Sequence, residues 1–99
     1  MGFSQKDEIK AAEKALKGGD TAGAKTALEG AASTIDAADE KLQAQYYALK
    51  GNVYSDLAQK GDATAFQPAI DAYNKVISVE EARGKEKYTT VARQKLAQI

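Results

Sequence analysis

At 99 residues the chain has room for one domain with a modest core. Fourteen lysines and arginines balance fourteen aspartates and glutamates, which argues against duplex nucleic acid as a main partner, because that binding needs surplus cations facing phosphates. With no histidine and no cysteine, catalytic triads, thiolate chemistry, disulfides and imidazole metal sites are excluded, and no apolar run approaches the ~20 residues of a membrane span.

Alanine, lysine, glutamate, glutamine and leucine dominate, and the pattern predicts five helices and no strand. The first covers about 4–17. Ser4 and Asp7 resemble a capping box, and Ile9, Ala12, Ala15 and Leu16 form an apolar stripe. Gly18-Gly19 ends it. The second covers about 21–37, with Asp20 or Thr21 as its cap. Its stripe is Ala24, Ala27, Leu28, Ala31 and Ile35, rich in small residues, which predicts a close neighbour and the less stable of two hairpins.

The third helix, about 39–60, carries Leu42, Tyr46, Leu49, Val53 and Leu57, flanked by Tyr47, Tyr54 and Ala58. So wide a stripe predicts contacts on two sides. Gly51 sits inside it, where glycine costs ~1 kcal/mol relative to alanine, so a neighbouring helix is expected to approach there. Gly61-Asp62 breaks this helix. The fourth covers about 65–83, because Pro68 is tolerated only in a first turn; Ala69, Ile70, Tyr73, Val76 and Ile77 form its face. Gly84 closes it. The fifth, about 86–99, carries Tyr88, Val91, Ala92 and Leu96.

Two stretches repeat one pattern. Gly19-Asp20 precedes Ala24, Leu28 and Ala31, and Gly61-Asp62 precedes Ala69, Tyr73 and Val76. A helix of this kind cannot bury its face alone, which implies stacked helical hairpins. These residues resemble the tetratricopeptide repeat (TPR), a 34-residue helical hairpin. Tyr47, Gly51 and Tyr54 match its helix A, and Ala69, Tyr73 and Val76 its helix B. In the first unit Ala12 and Ala15 stand at helix A's glycine and tyrosine positions, a weak match. Tyr88, Val91 and Ala92 resemble helix A of a third unit. The chain departs from the pattern in its spacing: Ala24 to Ala69 is 45 residues rather than 34. The extra length falls between Tyr54 and Ala69 and near 39–43. Lys50 replaces the usual leucine, and the proline that often closes a unit is missing.

The resemblance implies an all-α, right-handed TPR-like superhelix of two antiparallel hairpins plus a C-terminal helix, spanning 1–99 as a single domain. It further implies an N-terminal piece of a longer repeat protein. Gln5 to Leu16 with Gly18-Gly19-Asp20, and Gln45-Tyr46-Tyr47-Ala48-Leu49-Lys50-Gly51, are also similar to repeat proteins of the bacterial cell envelope. Those lose a signal peptide just before a segment like Gln5-Lys6, which implies a periplasmic setting; the cytoplasm is the alternative.

Candidate chemistry is sparse. The pairs Asp7-Glu8, Asp39-Glu40 and Glu80-Glu81 point about 100° apart on a helix and do not converge for acid-base work. Glu80-Glu81 also sits at an unfavourable helix C-terminus, with Arg83 and Lys85 nearby to offset it. The Gly-Asp turns lack the lysine and hydroxyl of a phosphate loop. Tyr54 and Tyr73 read as packing residues, while Tyr46 is open between core and groove. The basic stretch Arg83, Lys85, Lys87, Arg93 and Lys95 reads first as a solvated face, with an anionic partner as the alternative.

By resemblance, a concave groove would fall on Gln45, Ala48, Asn52 and Ser55 of the second unit, and on Lys6, Ile9 and Glu13 of the first. Asn52 stands out, because a mid-helix asparagine can hydrogen-bond a peptide backbone. The expectation is a non-enzymatic protein-interaction module that binds a protein or peptide and needs no cofactor or metal. The alternative is a structural module, forming homo-oligomers through its terminal helices or packing within a larger envelope protein.

Overall fold

The computed structural model describes residues 5–99. Ser4, and with it the expected first-helix cap, lies outside the described residues. Five α-helices account for most of the described chain, with no strand among these residues: α1 (Gln5–Lys17), α2 (Thr21–Ala32), α3 (Glu40–Gln59), α4 (Phe66–Arg83) and α5 (Thr89–Gln98). No helix among them is long and apolar enough to cross a membrane.

Helix ends follow the turn chemistry of the repeated Gly-Asp pair. At the end of α1 the Asp20 N–H donates to the Ala15 carbonyl at 2.8 Å, and the Gly19 N–H to that of Leu16 at 3.1 Å. At the end of α3 Asp62 donates to Leu57 at 3.0 Å, and Gly61 to Ala58 at 3.1 Å. This paired closure needs a left-handed residue, supplied by Gly19 at φ 83° and Gly61 at φ 114°. Each aspartate then turns to the next segment. Asp20 Oδ1 accepts from the Gly23 N–H at 2.9 Å, and Asp62 Oδ1 from the Thr64 N–H at 3.0 Å. Asp39 Oδ1 caps α3 by accepting from the Leu42 N–H at 2.8 Å.

Two helix bounds differ from the sequence reading. The second helix stops at Ala32 rather than 37, and Ile35–Ala37 form a separate 3-10 turn. Ser33 and Thr34 explain the break: such side chains compete for backbone bonds, and Thr34 Oγ1 donates to the Ala31 carbonyl at 3.4 Å. Ile35 still reaches the core, 1 % exposed. The fifth helix begins at Thr89 rather than 86, where the Glu80 carboxylate on α4 accepts from the Tyr88 and Thr89 N–H groups. A second 3-10 turn, Ala63–Ala65, takes up part of the extra length between Tyr54 and Ala69.

The core has two halves, one on each side of α3. Ile9, Ala12, Ala24, Leu28, Ala31 and Ile35 pack against Tyr46, Leu49 and Val53 of α3. On the other side Ala44 and Ala48 pack with Ala69, Tyr73, Val76, Val79 and Ala92. The central place expected for α3 is therefore observed. So is the close approach at Gly51: a Cβ there would lie 2.5 Å from Cε1 of Tyr73. The absence of a side chain lets α4 press its aromatic ring onto the α3 backbone. Tyr46 belongs to the core, 2 % exposed, with its ring edge-on to Tyr47 at 4.9 Å between centroids. Tyr54 is half-buried against the second half-core.

Candidate functional site

Helices α1, α3 and α5 border an open groove. It holds two adjoining depressions of about 380 Å³ and 360 Å³, a size that suits small ligands or short peptide segments. Leu16 and Asn52 line both. Gln45, Ala48, Asn52 and Ser55 recur three or four residues apart on α3 and so form one strip along it. Glu13, Leu16 and Lys17 come from α1, Val91 and Lys95 from α5, and Tyr88 from the N-cap of α5.

Of the residues expected at a groove, five meet there: Glu13, Gln45, Ala48, Asn52 and Ser55. Lys6 is exposed and lines neither depression. Ile9 is a correction. It is 0 % exposed and sits among Ala12, Leu28 and the other residues of the first half-core, because its position on α1 turns inward towards α2 and α3. The α5 wall was not foreseen. Val91 is 48 % exposed beside buried Ala92, and the resemblance of Tyr88, Val91 and Ala92 to helix A of a third unit was the available sign.

The polar chemistry is one of hydrogen-bonding groups flanked by paired charges. Asn52 Oδ1 accepts from the Tyr73 hydroxyl at 2.8 Å, so this side chain is tied to the core as well as facing the groove. Burial pushes the Tyr73 phenol up to about 12, with the Ser55 hydroxyl working slightly the other way. Asp56 lies 2.8 Å from Lys60 Nζ and accepts from the Thr21 hydroxyl. Those two bonds, Lys60 first, hold its carboxyl below the usual aspartate range. Glu13 and Lys17 pair at 3.6 Å across one helical turn. Such exposed pairs contribute little stability, ~0–1 kcal/mol, but they set alternating charge along the rim.

The carboxylate pairs separate as expected, though not all for the reasons expected. Asp39 caps α3, and Glu40 lies 3.9 Å from Arg83. Glu81 meets Arg93 at 2.9 Å. Glu80 is 1 % exposed, and its Oε1 accepts from the N–H groups of Tyr88 and Thr89. The unfavourable position read for Glu80-Glu81 is thereby corrected: Glu80 serves the start of the next helix, not the end of its own. Among the described residues no group of carboxylates, histidines or cysteines is arranged to hold a metal ion.

A third depression lies between α1 and α2, away from the groove. It is larger, about 790 Å³, with a floor of Ala11, Gly23, Ala27 and Gly30 and a rim that includes Asp7, Glu8 and Thr26. Among the described residues, none of those lining it is aromatic. No protein-family model, curated protein or solved structure matches the chain.

Proposed function

We propose that this chain is a non-catalytic, TPR-like interaction module that binds an extended peptide or protein segment in the α1–α3–α5 groove. One observation carries the reading: five of the seven residues that the repeat resemblance assigns to a concave face line a single groove, with a third wall from α5. Asn52 and Gln45 offer amide groups suited to a peptide backbone, while Leu16, Val91 and Tyr88 offer apolar contact. The resemblance to cell-envelope repeat proteins supports a periplasmic setting for the module.

The test is selection from a displayed random-peptide library, followed by titration of the recovered peptides against the protein and against Val91→Arg and Gln45→Arg. Binding that both groove substitutions abolish supports the reading. Recovery of no peptide, or binding indifferent to both substitutions, removes it.

A second reading is structural: the depression of about 790 Å³ between α1 and α2, lined by Ala11, Gly23, Ala27 and Gly30, would be the contact with a second copy. Light scattering over a concentration series decides it, since a mass that stays monomeric throughout is incompatible with self-assembly.

A further inference from the structure

We infer that Glu80, which lies outside the groove, is the positioning residue for the groove's α5 wall. Helix α5 has ten residues and buries only Thr89 and Ala92. Its N-cap residue, Tyr88, makes no side-chain capping bond. A helix of ~12 residues or fewer is marginal in water unless packing supports it. The missing cap comes from the preceding helix. Glu80 Oε1 accepts from the Tyr88 N–H at 2.7 Å, the Thr89 N–H at 2.7 Å and the Thr89 hydroxyl at 2.8 Å.

The same residue also closes α4. Its carbonyl accepts from the Lys85 N–H at 2.9 Å, beside left-handed Gly84 at φ 68°. One residue therefore ends one helix with its backbone and starts the next with its side chain. The contrast with α3 is informative. Asp39 caps α3 from the adjacent position and is exposed, so that cap forms whether or not α3 is docked. The α5 cap exists only when α5 lies against α4, because its acceptor is a buried carboxylate on α4.

Capping and docking are thus coupled, because the bonds from Tyr88 and Thr89 to the Glu80 carboxylate form only when α5 lies against α4. Tyr88, Val91 and Lys95 reach the groove only from docked α5. Loss of the Glu80 carboxylate should therefore release the wall while leaving α1 to α3 in place.

The functional part of this inference rests on the groove being the binding surface, so its test has an arm that needs no ligand. The chain has no cysteine, so Lys17→Cys and Val91→Cys place two spin labels across the groove. Pulsed electron resonance then reads the distance distribution with Glu80, Glu80→Gln and Glu80→Ala. Hydrogen exchange is followed on the same proteins. The expected result is a narrow distribution with Glu80, a broad one with Glu80→Ala, and an intermediate one with Glu80→Gln, which keeps an acceptor without the charge. Exchange should quicken in α5 and stay unchanged in α3. A distribution that stays narrow, or exchange that quickens equally in every helix, overturns the inference. For a peptide selected on the parent protein, a docked fraction reduced to about one tenth lowers apparent affinity about tenfold. Unchanged affinity beside a loosened wall overturns the functional part. Failure of any peptide to bind the parent removes the groove reading and leaves the distance result to stand alone.

Discussion

Gly51→Ala sets two effects of opposite sign against each other. On helix propensity alone, alanine inside α3 should stabilise by ~1 kcal/mol. Its Cβ, however, would lie 2.5 Å from Tyr73 Cε1, 2.6 Å from Cδ1 and 2.9 Å from Cζ. An ordinary carbon contact is ~3.5–4.0 Å, so the ring must retreat by about 1 Å. The Tyr73 ring is 1 % exposed and packed within the second half-core, so a shift of that size disturbs its neighbours. Overpacking of this kind costs ~1–3 kcal/mol. Movement of the ring also strains the 2.8 Å bond from the Tyr73 hydroxyl to Asn52, and a buried hydroxyl left unpaired costs ~1–3 kcal/mol. The clash should win by about 1–3 kcal/mol net, which lowers Tm by roughly 4–8 °C per kcal/mol in a domain this small. Denaturant titration followed by circular dichroism measures the difference. The control is the same substitution in a Tyr73→Leu background, where the ring is gone and alanine should be neutral or stabilising. If Gly51→Ala stabilises the parent protein, or if its effect is the same in both backgrounds, the close approach of α4 to the α3 backbone is not what the glycine is for.

Three further outcomes follow from the site. Asn52→Ala should destabilise by ~1–3 kcal/mol by orphaning the Tyr73 hydroxyl, whereas in a Tyr73→Phe background that cost should largely vanish; an unchanged cost there would refute the pairing. At alkaline pH, Tyr73 should ionise only near 12 rather than at the ordinary 10.0. Tyr46 and Tyr47 are also raised, mainly by burial, with the Asp36 carboxylate that accepts from Tyr47 at 2.7 Å adding to the second. The folded state keeps protons that the unfolded state has lost, so stability is full below pH 10 and falls as pH rises towards 12. Tyrosinate absorbance should show the late phase, and Asp36→Asn should advance one phenol; a single ordinary titration for all five tyrosines would count against it. At acid pH the sign reverses. Asp56 is held below its ordinary 3.8 by Lys60 and Thr21, so its contribution is present above 3.8 and disappears as pH falls through the folded value. The denaturation midpoint should drop on acidification less steeply in Asp56→Asn than in the parent, and equal slopes would refute the assignment.

The turns were legible because each is written in adjacent residues. Gly19-Asp20 and Gly61-Asp62 carry a left-handed closure and a cap side by side; Asp20 caps α2, whereas Asp62 caps the 3-10 turn that precedes α4. Gly51 was legible for a related reason: a glycine that costs helix stability implies something that needs the space, and Tyr73 takes it. The strip Gln45, Ala48, Asn52 and Ser55 came from the repeat resemblance, and the structure brings these four together at the groove. Ile9 failed because a repeat register assigned through the weak first unit carries no signal about which way α1 is rolled, and its apolar stripe already placed it inside. Glu80 failed for a deeper reason. A carboxylate near a helix C-terminus reads as unfavourable from local electrostatics, and only tertiary packing brings two orphan N–H groups of another helix to 2.7 Å from it. The charge that looks misplaced in the sequence is the one that joins the last helix to the fold. A local rule violated at a buried position is therefore a pointer to a contact across elements, and here that contact leads to the α5 wall of the groove.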